Sequence, residues 1–230
     1  MKKHGFTLAE VLITLGIIGV VAALVMPSLM ANYKKQETVT RLKKAYSALY
    51  QAYNLSQAQN GDAADWTNRR TTAADNEEFL NKYMFPYIKT VKICKGANVA
   101  DCGFDDNKKY LDGSSPIFLN AATYGMAAVL ADGVSIYFTS LGGPTYIVML
   151  VDVNGNKPPN IVGKDIFCMN FFYNGVNGFV MLGSQLTDRN QIVNGSDTSP
   201  TYGCNKGGEG VYCGGLIQYD GWEIAPDYPW

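Results

Sequence analysis

Gly5-Phe6-Thr7-Leu8-Ala9-Glu10 opens the stretch of sequence that decides the fold, and an apolar run from Val11 to Tyr33 follows it. These 23 consecutive positions contain no charged residue. A helix rises about 1.5 Å per residue, so a run of this length reaches across the roughly 30 Å hydrocarbon core of a membrane. The sequence therefore predicts a membrane-spanning helix close to the amino terminus.

Three ordinary explanations of the apolar run leave Glu10 unexplained. They are a buried helix of a soluble protein, a secretory signal peptide and a plain single-pass anchor. Against a signal peptide, the run is long, no A-x-A-like site ends it, and the helical pattern continues through Lys34. In all three cases a carboxylate just inside an apolar segment is costly unless it is paired. Glu10 is therefore expected to have a partner.

The motif from Gly5 to Glu10, followed by the apolar run, resembles the prepilin signal of type IV pilins and type II secretion pseudopilins. The resemblance implies that prepilin peptidase cuts between Gly5 and Phe6 and that Phe6 is then N-methylated. It also implies that Glu10 is an assembly residue, which pairs with the Phe6 ammonium of a neighbouring subunit. Such a pair removes two unfavourable groups from lipid and fixes the axial register of adjacent helices.

The resemblance and the residue pattern together predict four parts of the chain. In order, these are a leader peptide, a transmembrane polymerisation helix, an amphipathic continuation of that helix and an extracytoplasmic head: residues 1–5, 6–30, 31–60 and 61–230. Apolar residues recur at three- and four-residue intervals after the span, which predicts one long helix from about Thr7 to about Gln59. Pro27 either kinks this helix or lets it melt locally.

The head has the pattern of an antiparallel sheet. Strand-like segments follow one another without helices between them, and Ala131-Asp132-Gly133 and Asn154-Gly155 are turn signals. The predicted strands are Ile117–Leu119, Met126–Leu130, Val134–Thr139, Tyr146–Val153, Ile166–Phe172 and Phe179–Leu182. A short helix is expected from Asn76 to Tyr83, with Trp66 as an anchor before it. The predicted fold class is α+β, a pilin-like arrangement in which the long helix packs on the sheet.

Charge is distributed unevenly along the chain. The net charge of −1 argues against a nucleic-acid-binding protein, yet residues 31–60 carry five Lys or Arg and one Glu, whereas residues 61–230 carry 12 Lys or Arg and 18 Asp or Glu. Two ordinary solvated faces explain this difference, and so does contact between the basic stalk of one subunit and the acidic head of another.

The orientation of the chain follows from the leader. Counted alone, the positive charges after the span place the carboxyl side in the cytoplasm. The prepilin resemblance places the leader there instead, so the head is expected outside the bacterial inner membrane. The assembled filament is then expected in the periplasm or at the cell surface.

The five cysteines predict two short disulfides. Cys94 and Cys102 enclose seven residues, and Cys204 and Cys213 enclose eight, both in Gly-, Asn- and Asp-rich loops. Zinc is the alternative ligand, but no C-x-x-C motif or His accompanies these residues. Cys168 lies in an apolar strand, and we expect it to be a buried free thiol rather than part of an inter-subunit bridge.

One loop of the head has a pattern that suits either a turn or a cation. Asp152, Asn154, Asn156 and Asp165 offer oxygen atoms at spacings used by calcium loops, and some pseudopilin heads bind calcium in a loop near the carboxyl end. The loop has only two carboxylates and no terminal Glu. We therefore favour an Asn-Gly turn in which these side chains cap backbone groups, and we expect no cofactor.

These features predict a structural subunit and not an enzyme. The chain's one His, His4, lies in the leader, and no nucleophile or phosphate-binding motif is present. The expected partners are copies of itself or other pilin-like subunits, prepilin peptidase, the assembly platform and the inner membrane. A type IV pilus, a secretion pseudopilus and a DNA-uptake pseudopilus remain open. The alternatives are a membrane-tethered binding module that does not polymerise and, with less support, a hydrolase that uses paired carboxylates.

Processing gives the first test. Mass spectrometry of protein from cells with active prepilin peptidase should show a chain that begins at methylated Phe6, because Gly5 supplies the small residue before the cut. A Gly5→Leu variant should keep its leader. An intact Met1 terminus on the wild-type protein in such cells would contradict the prepilin assignment.

Overall fold

The computed structural model describes residues 7–66, 73–116, 125–139, 146–172 and 178–230. The chain divides into two compact units, Met1–Glu37 and Thr38–Trp230. One long helix, α1, contributes residues to both units.

Helix α1 spans Leu8–Asn60, within one residue of the predicted bounds at each end. Pro27 lies inside it without ending it. The helix stops where Gly61 adopts a φ of +83°, a left-handed conformation that glycine reaches at no steric cost. The Gly61 amide still donates to the Gln57 carbonyl oxygen at 2.9 Å, so the last turn is closed as the chain leaves the helix.

The described residues of the amino-terminal unit, 7–37, are mostly exposed apolar helix. Leu8, Ile13 and Leu24 are 78%, 62% and 75% exposed. Helix α1 is the one helix in the described part of the chain that is long and apolar enough to cross a membrane, with a mean hydropathy of 2.5 over its most apolar window. In water such a surface is unfavourable, whereas lipid accommodates it.

The second unit is built on a six-stranded antiparallel sheet whose strand order follows the chain. The strands are β1 Thr90–Lys95, β2 Met126–Leu130, β3 Ser135–Thr139, β4 Tyr146–Asp152, β5 Ile166–Phe172 and β6 Phe179–Met181. Five of the predicted strands are confirmed to within one residue at either end. The prediction missed β1, whose sequence Thr-Val-Lys-Ile-Cys-Lys lies on the edge of the sheet. The predicted strand Ile117–Leu119 lies outside the described residues.

One face of the sheet packs against α1, as predicted. The ring of Phe171 in β5 meets Tyr53 of α1 edge to face, with centroids 5.0 Å apart. Trp66 is 4% exposed, stacks on Tyr83 at 4.4 Å and lies 5.5 Å from Phe171. Trp66 therefore anchors the end of α1 and the next helix, α2, to the sheet. Helix α2 spans Ala73–Tyr83 and begins three residues earlier than predicted.

The opposite face of the sheet is also covered. Successive strand residues point to opposite faces, yet Tyr137 and Phe138 are 0% and 1% exposed. Phe138 contacts Phe85, which follows α2, whereas Tyr137 contacts Phe104, in the segment after β1. Burial raises the pKa of Tyr137 to about 12. The head therefore has a covering layer of loops that the sequence pattern did not predict.

The carboxyl-terminal segment is fastened by one arginine. Two short helices, α3 Arg189–Asn194 and α4 Cys213–Tyr219, precede it. The Arg189 guanidinium donates to the carboxylates of Asp220 and Asp227, with closest distances of 2.8 Å to each. The hydrogen bond from Arg189 holds the pKa of Asp227 below its usual value. The Tyr228 hydroxyl, which is buried, donates to the Gly163 carbonyl oxygen.

Leu49 and Leu55 of α1 give a matched test of this packing. Leu49 is 0% exposed in the core, whereas Leu55 is 53% exposed on the same helix. Leu49→Ala should lower the free energy of unfolding by about 2–5 kcal/mol because it leaves a cavity. Leu55→Ala should change it by less than about 0.5 kcal/mol. Denaturant unfolding of the full chain in detergent, followed by tryptophan fluorescence, measures both. Equal effects would contradict the packing of α1 on the sheet.

Candidate functional site

The start of α1 forms a capping box around Glu10. The Thr7 amide and the Thr7 hydroxyl both donate to Glu10 Oε2 at 2.8 Å, and the Glu10 amide donates to Thr7 Oγ1 at 3.3 Å. The Thr7 carbonyl oxygen accepts the first helical hydrogen bond, from the Val11 amide. This reciprocal arrangement is the one that Thr-x-x-Glu motifs form at helix starts.

The capping box adds a second role for Glu10 to the predicted one. The sequence contains the signal for this cap, Thr7 followed three residues later by Glu10, within the prepilin motif. Within its own chain the Glu10 carboxylate satisfies backbone and hydroxyl donors, and its charge complements the positive end of the helix dipole. Gly5 and Phe6, the predicted cleavage site, lie outside the described residues.

Several of the basic residues of α1 have partners within the same chain. Lys44 Nζ lies 2.7 Å from Asp132, Arg41 donates to the Val153 carbonyl oxygen at 3.4 Å, and Lys43 Nζ lies 5.7 Å from the Trp222 ring centroid. Burial by itself would raise the pKa of Asp132, but the hydrogen bonds from Lys44 and the Val134 amide outweigh it and lower the pKa. Part of the uneven charge distribution therefore serves intramolecular contacts.

The four predicted calcium candidates form two hydrogen-bonded groups, which Asn154 joins through its amide and its side chain. In the first, a lysine that the sequence analysis did not single out holds two of them. Lys108 Nζ lies 2.7 Å from Asp152 Oδ2, 3.1 Å from Asn156 Oδ1 and 2.6 Å from Asn160 Oδ1. The side chains of Lys108 and Asp152 are 1% and 0% exposed. This ion pair is the most deeply buried one in the part of the chain that the structure describes.

The Asp152 carboxylate also organises the turn that follows it. Its Oδ1 accepts from the amides of Asn154 and Gly155 at 3.2 and 2.9 Å, and its Oδ2 accepts from the Asn156 amide at 3.1 Å. These bonds are the capping of backbone groups that the Asn-Gly turn predicted.

The second group is centred on Asp165. Its oxygens accept from the amides of Asn160 and Ile161 at 2.8 and 2.7 Å and from Asn154 Nδ2 at 3.0 Å. Burial raises the pKa of Asp165 despite these donors. Asp165 therefore closes the far end of the loop by the same means that Asp152 uses at its start.

This donor set does not fit calcium. The position between Asp152, Asn156 and Asn160 is filled by an ammonium from the chain itself, and the Asp165 oxygens point to backbone and amide N–H groups. A calcium ion takes six to eight oxygen ligands at about 2.3–2.6 Å. Among the described residues, no group of three or more His, Cys, Asp or Glu side chains is placed to hold a metal ion.

The cysteines pair in two short loops. Cys94 at the end of β1 is bonded to Cys102, and Cys204 is bonded to Cys213 at the start of α4. These are the two pairs that the spacing predicted. Cys168 is a free, fully buried thiol in β5, and burial raises its pKa. The thiolate is the reactive form of cysteine. Cys168 is therefore unreactive for two reasons: its sulfur is inaccessible to solvent, and the raised pKa keeps it protonated.

Comparison with known families identifies the class of the protein. Residues 1–26 match the prokaryotic N-terminal methylation motif, which is the prepilin-type signal of type IV pilins and pseudopilins. Together with the apolar helix and the α+β head, the motif marks the chain as a type IV pilin-like protein that is anchored in the inner membrane.

The remainder of the chain defines the family more narrowly. Residues 28–230 match a family of unknown function (DUF6613), and the chain belongs to that family. No curated protein and no solved structure matches the chain.

Thiol accessibility tests the cysteine assignment. In the native full chain in detergent, Cys168 should resist alkylation by iodoacetamide, because its sulfur is buried and protonated. Unfolding in denaturant without reductant should expose one thiol per chain, and peptide mapping should place it at Cys168. Labelling of Cys94 or Cys204 under these conditions would contradict the two disulfides.

Proposed function

We propose that this protein is a structural subunit of a filament, either a type IV pilus or a type II secretion pseudopilus. Prepilin peptidase cuts it between Gly5 and Phe6 and methylates Phe6. The mature chain then polymerises through α1 with copies of itself or with other pilin-like subunits at an assembly platform. The observation that supports this proposal best is the position of Glu10. Its carboxylate lies at the start of a helix whose first part, from Val11 to Tyr33, is largely exposed and carries no charge.

The capping box explains how Glu10 is tolerated before assembly. Its two bonds from Thr7 satisfy hydrogen-bonding capacity, but they do not supply a cation to balance the negative charge. A Phe6 ammonium from a neighbouring subunit supplies that cation, and it needs a partner of its own in lipid. An ion pair between subunits therefore removes the free-energy cost of both unpaired charges in lipid, and this gain stabilises the contact between the two helices.

The two disulfides support an extracytoplasmic head. Disulfides persist in oxidising compartments such as the periplasm and are rare in the reducing cytosol. Cys94–Cys102 and Cys204–Cys213 both lie in the head, on the far side of the apolar run from the leader. This arrangement agrees with a leader in the cytoplasm, where the peptidase acts, and with a filament that extends into the periplasm or beyond the cell.

Substitutions at Glu10 and Thr7 distinguish the effect of the carboxylate charge on assembly from the effect of the helix cap. Glu10→Gln keeps an oxygen acceptor for the capping box but removes the charge, and Thr7→Val removes the cap but keeps the charge. Glu10→Gln should insert into membranes as well as wild type, yet its share in sheared filaments should fall at least about tenfold, since losing one partner of a buried ion pair costs about 3–5 kcal/mol. Thr7→Val should cost about 1 kcal/mol at the helix start and reduce the filament share much less.

The measurement compares the protein in sheared filaments with the protein in membranes, and mass spectrometry of the amino terminus confirms that each variant is processed. A neutral substitution elsewhere in the span, such as Val20→Ala, controls for general effects on the helix. If Glu10→Gln equals wild type in both fractions, Glu10 is not an assembly residue. A membrane-tethered binding module that does not polymerise then becomes the better account.

A further inference from the structure

The structure assigns to Lys108 the role of an internal cation: its ammonium occupies the place in the loop from Asp152 to Asn160 that a divalent metal ion takes in metal-stabilised loops. We infer that the head consequently folds without calcium and that removing the ammonium leaves a calcium site. This inference concerns the head alone and does not depend on the proposed filament.

The ammonium of Lys108 is fully coordinated by oxygen atoms. A lysine ammonium has three N–H donors and no acceptor. Lys108 Nζ has three oxygen partners at 2.6–3.1 Å, one carboxylate oxygen and two amide oxygens. Each donor is matched by one acceptor, and the one positive charge is balanced by Asp152. The Phe104 ring centroid lies 5.6 Å from Nζ and adds a favourable cation–π contact.

The conformation of the loop depends on these contacts. Asn156 and Asn160 both have positive φ, +49° and +57°, in the left-handed region that residues other than glycine adopt at a cost. Their side-chain oxygens are the two amide ligands of the ammonium. The Lys108 ammonium therefore binds the side chains of the two non-glycine residues in this loop whose backbone conformation is left-handed.

The Lys108 ammonium also joins two parts of the chain that are distant in sequence. Beside the ammonium, the Lys109 amide donates to the Asn160 carbonyl oxygen at 3.0 Å, and the Val162 amide donates to the Lys109 carbonyl oxygen at 2.8 Å. Lys108 thus fastens the segment that covers one face of the sheet to the loop that follows β4. Bound metal ions commonly join separate loops in the same manner.

Removal of the side chain beyond Cβ should turn this position into a cation site. Lys108→Ala leaves Asp152 as a buried carboxylate without a counter-charge, next to the two amide oxygens. Carboxylate and amide oxygens are calcium ligands, and water fills the remaining positions of the coordination shell. Calcium should then bind the folded variant and stabilise it.

Thermal unfolding of the full chain in detergent, with excess calcium chloride or with EDTA, tests the inference. The wild-type melting temperature should be the same in both solutions. Lys108→Ala should melt several degrees lower in EDTA and regain several degrees in calcium. Lys108→Met should be as unstable as Lys108→Ala but should not respond to calcium, because its side chain fills the space without supplying a charge. Lys109→Ala removes the neighbouring ammonium, which donates to Ser115 Oγ at 2.9 Å and not to this loop, and like wild type it should melt at the same temperature in calcium and in EDTA.

The double variant Lys108→Ala/Asp152→Asn should lose most of the calcium response, which ties the response to this carboxylate. A wild-type protein that melts lower in EDTA than in calcium would overturn the inference, since a metal ion would then already be needed. A folded Lys108→Ala that does not respond to calcium would overturn it as well. If Lys108→Ala and Lys108→Ser both fail to fold in excess calcium, the loop depends on the lysine side chain itself and the inference is wrong.

Discussion

The absence of charge between Val11 and Tyr33 is the constraint on which the rest of this protein depends. It lets α1 lie in lipid, and it makes any charge near the ends of the span expensive. Glu10 is held at the start of the helix by Thr7, which provides hydrogen bonds without neutralising the carboxylate. In the proposed filament, a cation from a neighbouring subunit removes the remaining electrostatic cost of this carboxylate.

The same helix later serves a different environment. From residue 38 it belongs to the compact unit of the sheet, and its inward residues Leu42, Leu49 and Tyr53 are buried there. The other face of the sheet is covered by irregular segments. Covalent and ionic links add to the backbone hydrogen bonds of the segments outside the sheet: two short disulfides, the Lys108 ammonium and the Arg189 clamp on Asp220 and Asp227.

Much of the fold was predictable because it follows from local patterns. Helix α1 has an apolar period and a glycine stop, and β2 to β6 are apolar runs along the chain. Strand β1, Thr90–Lys95, is harder to predict because it is a short edge strand in which lysines alternate with the apolar residues and most side chains are exposed. The prepilin signal is recognisable because its residues are contiguous, and Thr7 and Glu10 of the capping box are part of that signal.

The sequence by itself determined the membrane helix, the prepilin-type start, the pairing of the cysteines within short loops and the antiparallel order of the strands. All of these depend on residues close together in the chain. Only the tertiary structure decided what the loop after β4 contains, because Lys108 is 44 residues from Asp152 and looks like a solvated lysine when read in sequence. Burial and a matched carboxylate give this lysine its role, and neither property is encoded in its neighbours along the chain.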